Sequence, residues 1–242
     1  MEETVDLATK ILSVSKGIRR IPFSEFPRIP IALETAQPLL LKLDEEGLLK
    51  LTDDAIEVGR EQRVNLALYA LAAHSDPERV AKLLGWDEFE ELAYAIFKGN
   101  DYRVARNRRL KHGAKRFQID LVAVKDPLVL CVDCKHWRYG YSPSRARAAA
   151  LGQVARAEAV ADMLSHLTLD ASTAARSLYV LPVILTLMDV PFRFIDRVPI
   201  VPIYRLKSFL DDLPPIPDSR FKYFIRKGVQ GDCIDRLTKG SP

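Results

Sequence analysis

Three acidic residues and one lysine have the types and the spacing needed to hold a divalent cation beside a water molecule. Asp133 and Lys135 follow an apolar run at residues 128–132, and Asp120 is the only acid in the apolar run before it. Because side chains alternate along a strand, Asp133 and Lys135 point to the same side. Glu90 supplies a third carboxylate from a helical segment. Carboxylate oxygens suit Mg²⁺ or Mn²⁺, and a lysine can orient or deprotonate a nearby water.

The elements that carry these residues predict an α/β fold, with a mixed central β-sheet flanked by helices. The uninterrupted apolar character of residues 128–132 is typical of a strand covered on both faces. Apolar side chains at helical spacing predict a helix over 87–97, with Glu90 and Glu91 beside its apolar face. Later patterns predict a helix over 146–167, a strand over 178–187, one or two strands over 192–202 and a helix over 204–213. The segment SRFKYFIRKGV that follows fits a strand or a helix equally well.

The densest basic patch of the chain lies between the helix predicted over 87–97 and the two strands that carry Asp120 and Asp133. Residues 106–116, RNRRLKHGAKR, predict a hairpin with its turn at Gly113. Such a hairpin is either simply solvated or, beside a site that acts on phosphates, neutralises backbone charge and gives salt-sensitive binding. The candidate nucleic-acid-binding cations are Arg103, Arg106, Arg108, Arg109, Lys111, Lys115, Arg116, Arg145 and Arg147.

Residues 1–85 are predicted to form a separate, mainly helical module, and residues 86–242 form the domain with the sheet. Apolar periodicity predicts helices over 5–16, 32–46 and 61–74, and Ser75 or Asp76 can cap another. Two short alternating runs around Thr52 are typical of a hairpin. A helix followed by such a hairpin is similar to the last helix and wing of a winged-helix module. A packing or dimerisation appendage is the alternative interpretation.

Composition indicates a folded globular protein with a mild bias towards polyanions. Of the 242 residues, 48% are hydrophobic and 28% are charged, and the net charge is +4, with a pI near 8.9. The three cysteines have no framework spacing, so a reducing cytoplasm is expected, and Cys131 and Cys134 would lie on opposite faces of a strand, which argues against zinc. The start lacks an apolar signal core. The longest apolar run, 178–188, contains Pro182 and is shorter than the ~20 residues that span a bilayer, so no membrane association is expected.

These residues resemble the PD-(D/E)xK nuclease superfamily, which includes restriction endonucleases and archaeal Holliday junction resolvases. The Mrr-like branch is the nearest match, and the resemblance covers residues 87–187. The residues at the family's pattern positions are Glu90 on the helix, Asp101 and Tyr102 in place of a Gly-aromatic pair at the first strand, Asp120 on the second strand, and Asp133, Cys134 and Lys135 on the third. Two further positions depart from the pattern, because Ile119 replaces a proline and Asp133 is shorter than the more frequent glutamate.

The resemblance implies a restriction endonuclease-like core and a divalent-metal-dependent DNA endonuclease, restriction-like or repair-related, that acts as a homodimer. Lys135 would contact the scissile phosphate, and Gln153 is similar to a polar residue that the family carries near its active site. The implied catalytic residues are Glu90, Asp120, Asp133, Lys135 and Gln153, and the implied ligands of Mg²⁺ (or Mn²⁺) are Glu90, Asp120, Asp133 and the Cys134 carbonyl. The alternatives are a structure-selective nuclease for Holliday junctions or flaps and a catalytically inactive DNA-binding or regulatory protein. RNA as the substrate also stays open.

Each candidate residue has a purely structural interpretation as well. Asp87 and Glu90 have the spacing of a helix cap with its reciprocal acid. Asp133 and Lys135 could simply pair with each other where the strand ends. Gln153 could lie on the solvated side of its helix.

Overall fold

The computed structural model describes residues 2–28, 33–73, 75–135, 137, 142–166 and 176–229. The chain forms two compact units, Met1–Leu92 and Ala93–Pro242. The boundary between the units lies within a helix, a few residues after the predicted domain boundary at residue 85. The predicted helix ends at residues 74 and 167 lie outside the described residues.

The first unit combines helices with a small antiparallel sheet. Its helices are α1 (Glu2–Val14), α2 (Leu33–Glu45), α3 (Arg60–Ala72) and α4 (Pro77–Lys82), with a 3-10 helix at Phe23–Arg28. Its strands are β1 (Arg20–Pro22), β2 (Lys50–Leu51) and β3 (Ala55–Glu57), in the spatial order β1-β3-β2. Helix α5 (Trp86–Gly99) begins in this unit and ends in the second.

Local sequence signals explain the elements of the first unit. Leu7 and Ile11 lie one turn apart on α1 and are fully buried in the cluster that also contains Ile56 of β3. The predicted hairpin around Thr52 is confirmed, because the Thr52 amide donates to the Ala55 carbonyl at 3.0 Å in the turn between β2 and β3. The predicted cap of α4 is confirmed as well, since the Asp76 side chain accepts hydrogen bonds from the first turn of that helix.

The second unit contains a seven-stranded mixed sheet with helices around it. Its strands are β4 (Arg103–His112), β5 (Lys115–Lys125), β6 (Leu128–Lys135), β7 (Arg176–Thr186), β8 (Phe194–Ile195), β9 (Val198–Pro202) and β10 (Phe224–Val229), and its helices are α6 (Pro143–His166) and α7 (Leu206–Asp211). The strand order is β4-β5-β6-β7-β9-β8, and β10 also pairs with β7. Strands β4, β5 and β6 are antiparallel neighbours, whereas β6, β7 and β9 are parallel. The predicted mixed α/β fold is therefore confirmed.

The core of the second unit lies between α6 and one face of the sheet. Val129 and Cys131 of β6 pack against Ala157, Val160 and Leu164 of α6, and all five are buried. Since alternate residues of a strand share a face, this contact defines the side of β6 that faces α6. The next two residues on that side, towards the end of β6, are Asp133 and Lys135.

The C-terminal basic and aromatic segment, which the sequence left open between strand and helix, is strand β10. It pairs antiparallel with β7, with Phe224 opposite Val180. Arg226 of β10 donates from Nε to the Ala161 carbonyl of α6 at 3.0 Å and also pairs with the Asp162 carboxylate. Among the helices that the structure describes, none is long and apolar enough to cross a membrane.

Candidate active site

The candidate site begins where β5 separates from β6. The pairing of these two strands runs from Lys125 opposite Leu128 to Leu121 opposite Val132 and stops there, whereas β5 stays paired with β4 as far as the hairpin turn. The last residues of β6 therefore lose β5 as a hydrogen-bonding neighbour. The side chain of Asp120, the first residue of β5 past the separation, takes the place of this backbone partner. Its Oδ2 accepts a hydrogen bond from the Cys134 amide at 2.8 Å.

Asp133 and Lys135 lie on the same side of β6, as their alternation along the strand predicts. The Nζ atom of Lys135 is 2.8 Å from Oδ2 of Asp133. Asp133 is only 3% exposed, and its Oδ2 has no hydrogen bond of good geometry within the part of the chain that the structure describes. The contact is thus an ion pair at short distance, and this buried oxygen keeps capacity for a further partner.

Gln153 is fully buried on α6, so the interpretation as a solvated helix position is wrong. Its Nε2 donates to the Cys131 carbonyl of β6 at 2.6 Å. The side chain therefore fixes α6 against β6 two residues before Asp133. Its Oε1 accepts from Nη1 of Arg156 at 3.4 Å, which links it to a residue that the sequence analysis missed.

Arg156 belongs to the same group of side chains. Its Nε donates to the Gln118 carbonyl at 3.0 Å, and its Nη1 lies 3.7 Å from Oδ1 of Asp133. One feature of the sequence indicates that Arg156 lies near the site. Residues three apart on a helix are neighbours, and Arg156 is three residues after Gln153. That signal has meaning only once Gln153 is known to face the sheet.

The electrostatic environment shows that these groups act on one another. Burial raises the pKa of the Asp120 carboxyl, and the charge of Asp133 raises it further. The hydrogen bond from the Cys134 amide and the positive charges of Lys135 and Arg156 act in the opposite direction. Burial has the largest effect, so the Asp120 carboxylate is held at a free-energy cost that a bound cation would reduce.

The donor set fits a hard divalent cation that keeps part of its water shell. Asp120 and Asp133 come from neighbouring strands and meet at the separation of β5 from β6, and a buried carboxylate oxygen of Asp133 accepts no well-formed hydrogen bond from the described residues. Among the described residues, no three His, Cys, Asp or Glu side chains come together as a ligand group. Two carboxylates with waters and a backbone carbonyl are typical of Mg²⁺ sites. The role of the Cys134 carbonyl as a ligand stays a prediction.

Glu90 is half-buried on α5, in the first unit, and its participation in the site stays a prediction. The interpretation of Asp87 and Glu90 as a helix cap with its reciprocal acid is wrong. Helix α5 begins at Trp86, and Glu88 takes the reciprocal role, since its Oε2 accepts from the Gly85 amide at 2.8 Å.

The predicted hairpin with its turn at Gly113 is confirmed, and it forms a basic surface. Arg106 stacks over the Tyr94 ring at 3.5 Å, and Arg147 on α6 lies 3.6 Å from Asp196. Four exposed hairpin cations make no ion pair within the described residues, and these are Arg109, Lys111, Lys115 and Arg116. Three of them line a surface pocket of about 580 Å³ together with Phe117. Arg103 and Arg145 are also exposed, and Arg108 is half-buried.

Among the comparisons with known proteins, a family model covers the residues that form this site. Residues 85–182 match the family model described as NERD, nuclease-related domain. An uncharacterized protein from Archaeoglobus fulgidus is 34% identical over 128 residues, which are 53% of this chain and 91% of that protein. The crystal structure of protein VC1899 from Vibrio cholerae is similar to 86% of this chain at 13% identity and a TM-score of 0.34. The chain spans about half of that structure, 48% of its length.

Proposed function

We propose that this chain is a divalent-metal-dependent DNA endonuclease. The premise is that the chain belongs to one family with the Archaeoglobus fulgidus protein and that its residues 85–182 match a nuclease-related domain. The nuclease-related domain supports a nuclease superfamily of the PD-(D/E)xK type. The metal dependence, the DNA substrate and the endonucleolytic action are our proposal. It covers restriction-like and repair-related action alike, with a homodimer as the acting form.

The observation that carries the proposal is the hydrogen bond from the Cys134 amide to Asp120. It holds an acid of β5 beside the acid and the lysine at the end of β6, although these residues are well separated in sequence. An ordinary ion pair at a strand end would leave Asp133 solvated, whereas Asp133 is 3% exposed. Burial of charged groups at this cost is typical of functional sites.

Each residue of the site has a defined part in the proposed hydrolysis. Asp120 and Asp133 would hold the cation, together with the Cys134 carbonyl. A bound Mg²⁺ supplies Lewis-acid stabilisation of the phosphoryl oxygens and a more acidic water. Lys135, with a side chain that is 31% exposed, orients the attacking water and contacts the scissile phosphate. Gln153 keeps α6 and β6 in place through the Cys131 carbonyl.

A substrate panel tests this function. Linear, supercoiled, single-stranded and branched DNA and a single-stranded RNA are each incubated with the protein in Mg²⁺, Mn²⁺ or EDTA. We expect cleavage of DNA in the presence of either cation and none in EDTA. Cleavage of branched DNA alone would favour a structure-selective nuclease. Binding without cleavage in every condition would overturn the endonuclease in favour of a regulatory DNA-binding protein.

Replacement of Asp120 by asparagine separates folding from catalysis. The amide oxygen of the introduced asparagine can still accept from the Cys134 amide, and the change removes a charge whose burial is costly. We therefore expect unfolding in urea without metal at an equal or higher concentration than for the unmodified protein, and cleavage at least about 10²-fold slower. A stable variant that cleaves at the normal rate would exclude Asp120 from the site.

Neutralising the tip of the hairpin tests its contact with the phosphate backbone. Lys111, Lys115 and Arg116 are exposed and make no ion pair in the described residues, so their replacement by glutamine breaks no ion pair there. We expect weaker DNA binding, and a plot of log affinity against log salt that is shallower by about one for each lost phosphate contact.

Equivalent replacements of Lys98, Arg193 and Lys227, exposed cations elsewhere in the second unit that make no ion pair in the described residues, provide the matched control. This control variant has the same net charge as the hairpin variant. An equal loss of affinity in both variants would mean that only the overall charge of the protein matters.

A further inference from the structure

The buried carboxylate of Asp133 has two cationic neighbours. Lys135 lies 2.8 Å from its Oδ2, and Arg156 lies 3.7 Å from its Oδ1. With Asp120 included, two carboxylates face two cations at the end of β6, so the site is close to electrically neutral without a metal. A buried ionised group needs such compensation to be tolerated in the folded chain.

The two cations differ in how they are held. Lys135 follows Asp133 on the same strand, and its position relative to that carboxylate is set by the geometry of β6. Arg156 reaches the site from α6, with Nε anchored on the Gln118 carbonyl at 3.0 Å and Nη1 at the longer distance of 3.7 Å from Asp133. Its side chain is 26% exposed.

A divalent cation at the two carboxylates changes this charge balance. It adds two positive charges to a group that is already compensated, and like charges at such distances repel strongly where water is partly excluded. A phosphodiester brings back one negative charge. Of the two cations, Arg156 lies at the longer distance from Asp133 and reaches it from a different element on a longer side chain, so its contact with the carboxylate is the one more easily broken.

We propose that Arg156 is the counter-ion of Asp133 in the metal-free protein, that it competes with the divalent cation for this carboxylate, and that it contacts the substrate phosphodiester once displaced. The proposal rests on the proposed function for its last step only. The planar guanidinium has several donors in a fixed arrangement that suits phosphate oxygens, and its anchor on the Gln118 carbonyl keeps it beside the site.

Competition is tested by calorimetric titration of the full chain with Mn²⁺ in the absence of nucleic acid. Removal of a competing positive charge in Arg156→Gln should make Mn²⁺ binding about 5- to 10-fold tighter. The Arg220→Gln variant makes the same charge change at an exposed position outside the site and should bind Mn²⁺ like the unmodified protein. Weaker or equal binding by Arg156→Gln would overturn the proposal, because a residue that only supports the fold of the site gives that result.

Contact with the phosphate is tested by DNA binding in EDTA and in Ca²⁺. In EDTA, Asp133 holds Arg156, so Arg156→Gln should bind DNA almost as tightly as the unmodified protein. In Ca²⁺ the displaced guanidinium should be available, and Arg156→Gln should bind about 10-fold more weakly. Arg156→Lys keeps the positive charge but lacks the planar guanidinium, so its DNA affinity in Ca²⁺ should lie between those of the unmodified protein and Arg156→Gln. An equal loss of DNA affinity in EDTA and in Ca²⁺ would show that the divalent cation does not displace Arg156 from Asp133.

The two proposals fail in different ways. If the unmodified protein cleaves no substrate, the endonuclease is wrong, and the Mn²⁺ titration still decides on Arg156. If neither the unmodified protein nor Arg156→Gln binds Mn²⁺, the counter-ion proposal is wrong. Circular dichroism in EDTA establishes that each variant is folded, and Arg156→Met is a second neutral variant for the same titration.

Discussion

Replacement of Asp133 by asparagine is expected to slow DNA cleavage by at least about 10³-fold while the chain stays folded. Asparagine has nearly the same shape but cannot supply the negative charge that holds a divalent cation. Mn²⁺ affinity should fall by more than the roughly 10- to 100-fold typical of residues that only support metal ligands. The two cations that lose this partner, Lys135 and Arg156, have side chains that are 31% and 26% exposed and can turn to solvent.

The matched control for Asp133→Asn is Asp189→Asn, at an exposed acid that pairs with Tyr204 and Arg205 in the same unit. Single-turnover cleavage in Mg²⁺, Mn²⁺ titration and urea unfolding are measured on both variants. The control should cleave at the normal rate. A large loss of stability in Asp133→Asn, with normal cleavage by the fraction that remains folded, would show that Asp133 is part of a structural ion pair only.

Replacement of Arg63 by methionine is expected to lower the free energy of unfolding of the first unit by about 3–5 kcal/mol. Arg63 is 4% exposed, and its Nε lies 2.5 Å from Oε1 of Glu88, whose side chain is 15% exposed. Its other nitrogens donate to the carbonyls of Leu12 and Leu83 and to the Ser15 hydroxyl. Methionine fills part of the volume but leaves a mostly buried carboxylate and two carbonyls without these donors, which is the costly situation.

Arg60→Met is the matched control, because Arg60 lies on the same helix with a side chain that is 50% exposed, at 3.8 Å from Asp87. We expect this variant to lose no more than about 1 kcal/mol. Urea unfolding followed by circular dichroism compares the two. Equal losses would mean that the buried hydrogen bonds of Arg63 add nothing beyond its charge.

The parts of the site that the sequence predicts are those set by local geometry. Asp133 and Lys135 share a side because a strand alternates, and the buried strand before them is visible in its composition. The position of Asp120 beside them came from the family pattern, since nothing local to β5 indicates where it leaves β6. The mixed sheet followed from the order of apolar segments and is confirmed.

The parts that the sequence did not predict depend on contacts between distant segments. Arg156 looks like any other arginine of α6 until that helix is placed against the sheet, where its Nε meets the Gln118 carbonyl. The reciprocal cap of α5 involves Glu88 because the helix begins at Trp86, and a shift of one or two residues at a helix end changes which acid has that role. Strand β10 depends on pairing with β7, which its own sequence does not encode.

Strand β4 has β5 as its neighbour on one side only in the sheet that the structure describes. An exposed strand edge of ten residues is a template on which another chain can extend the sheet, and natural proteins prevent this with charged side chains. The arginines and lysines of β4 give this edge one sign of charge, so two such edges would repel each other. The proposed homodimer is therefore expected to use another surface of the chain.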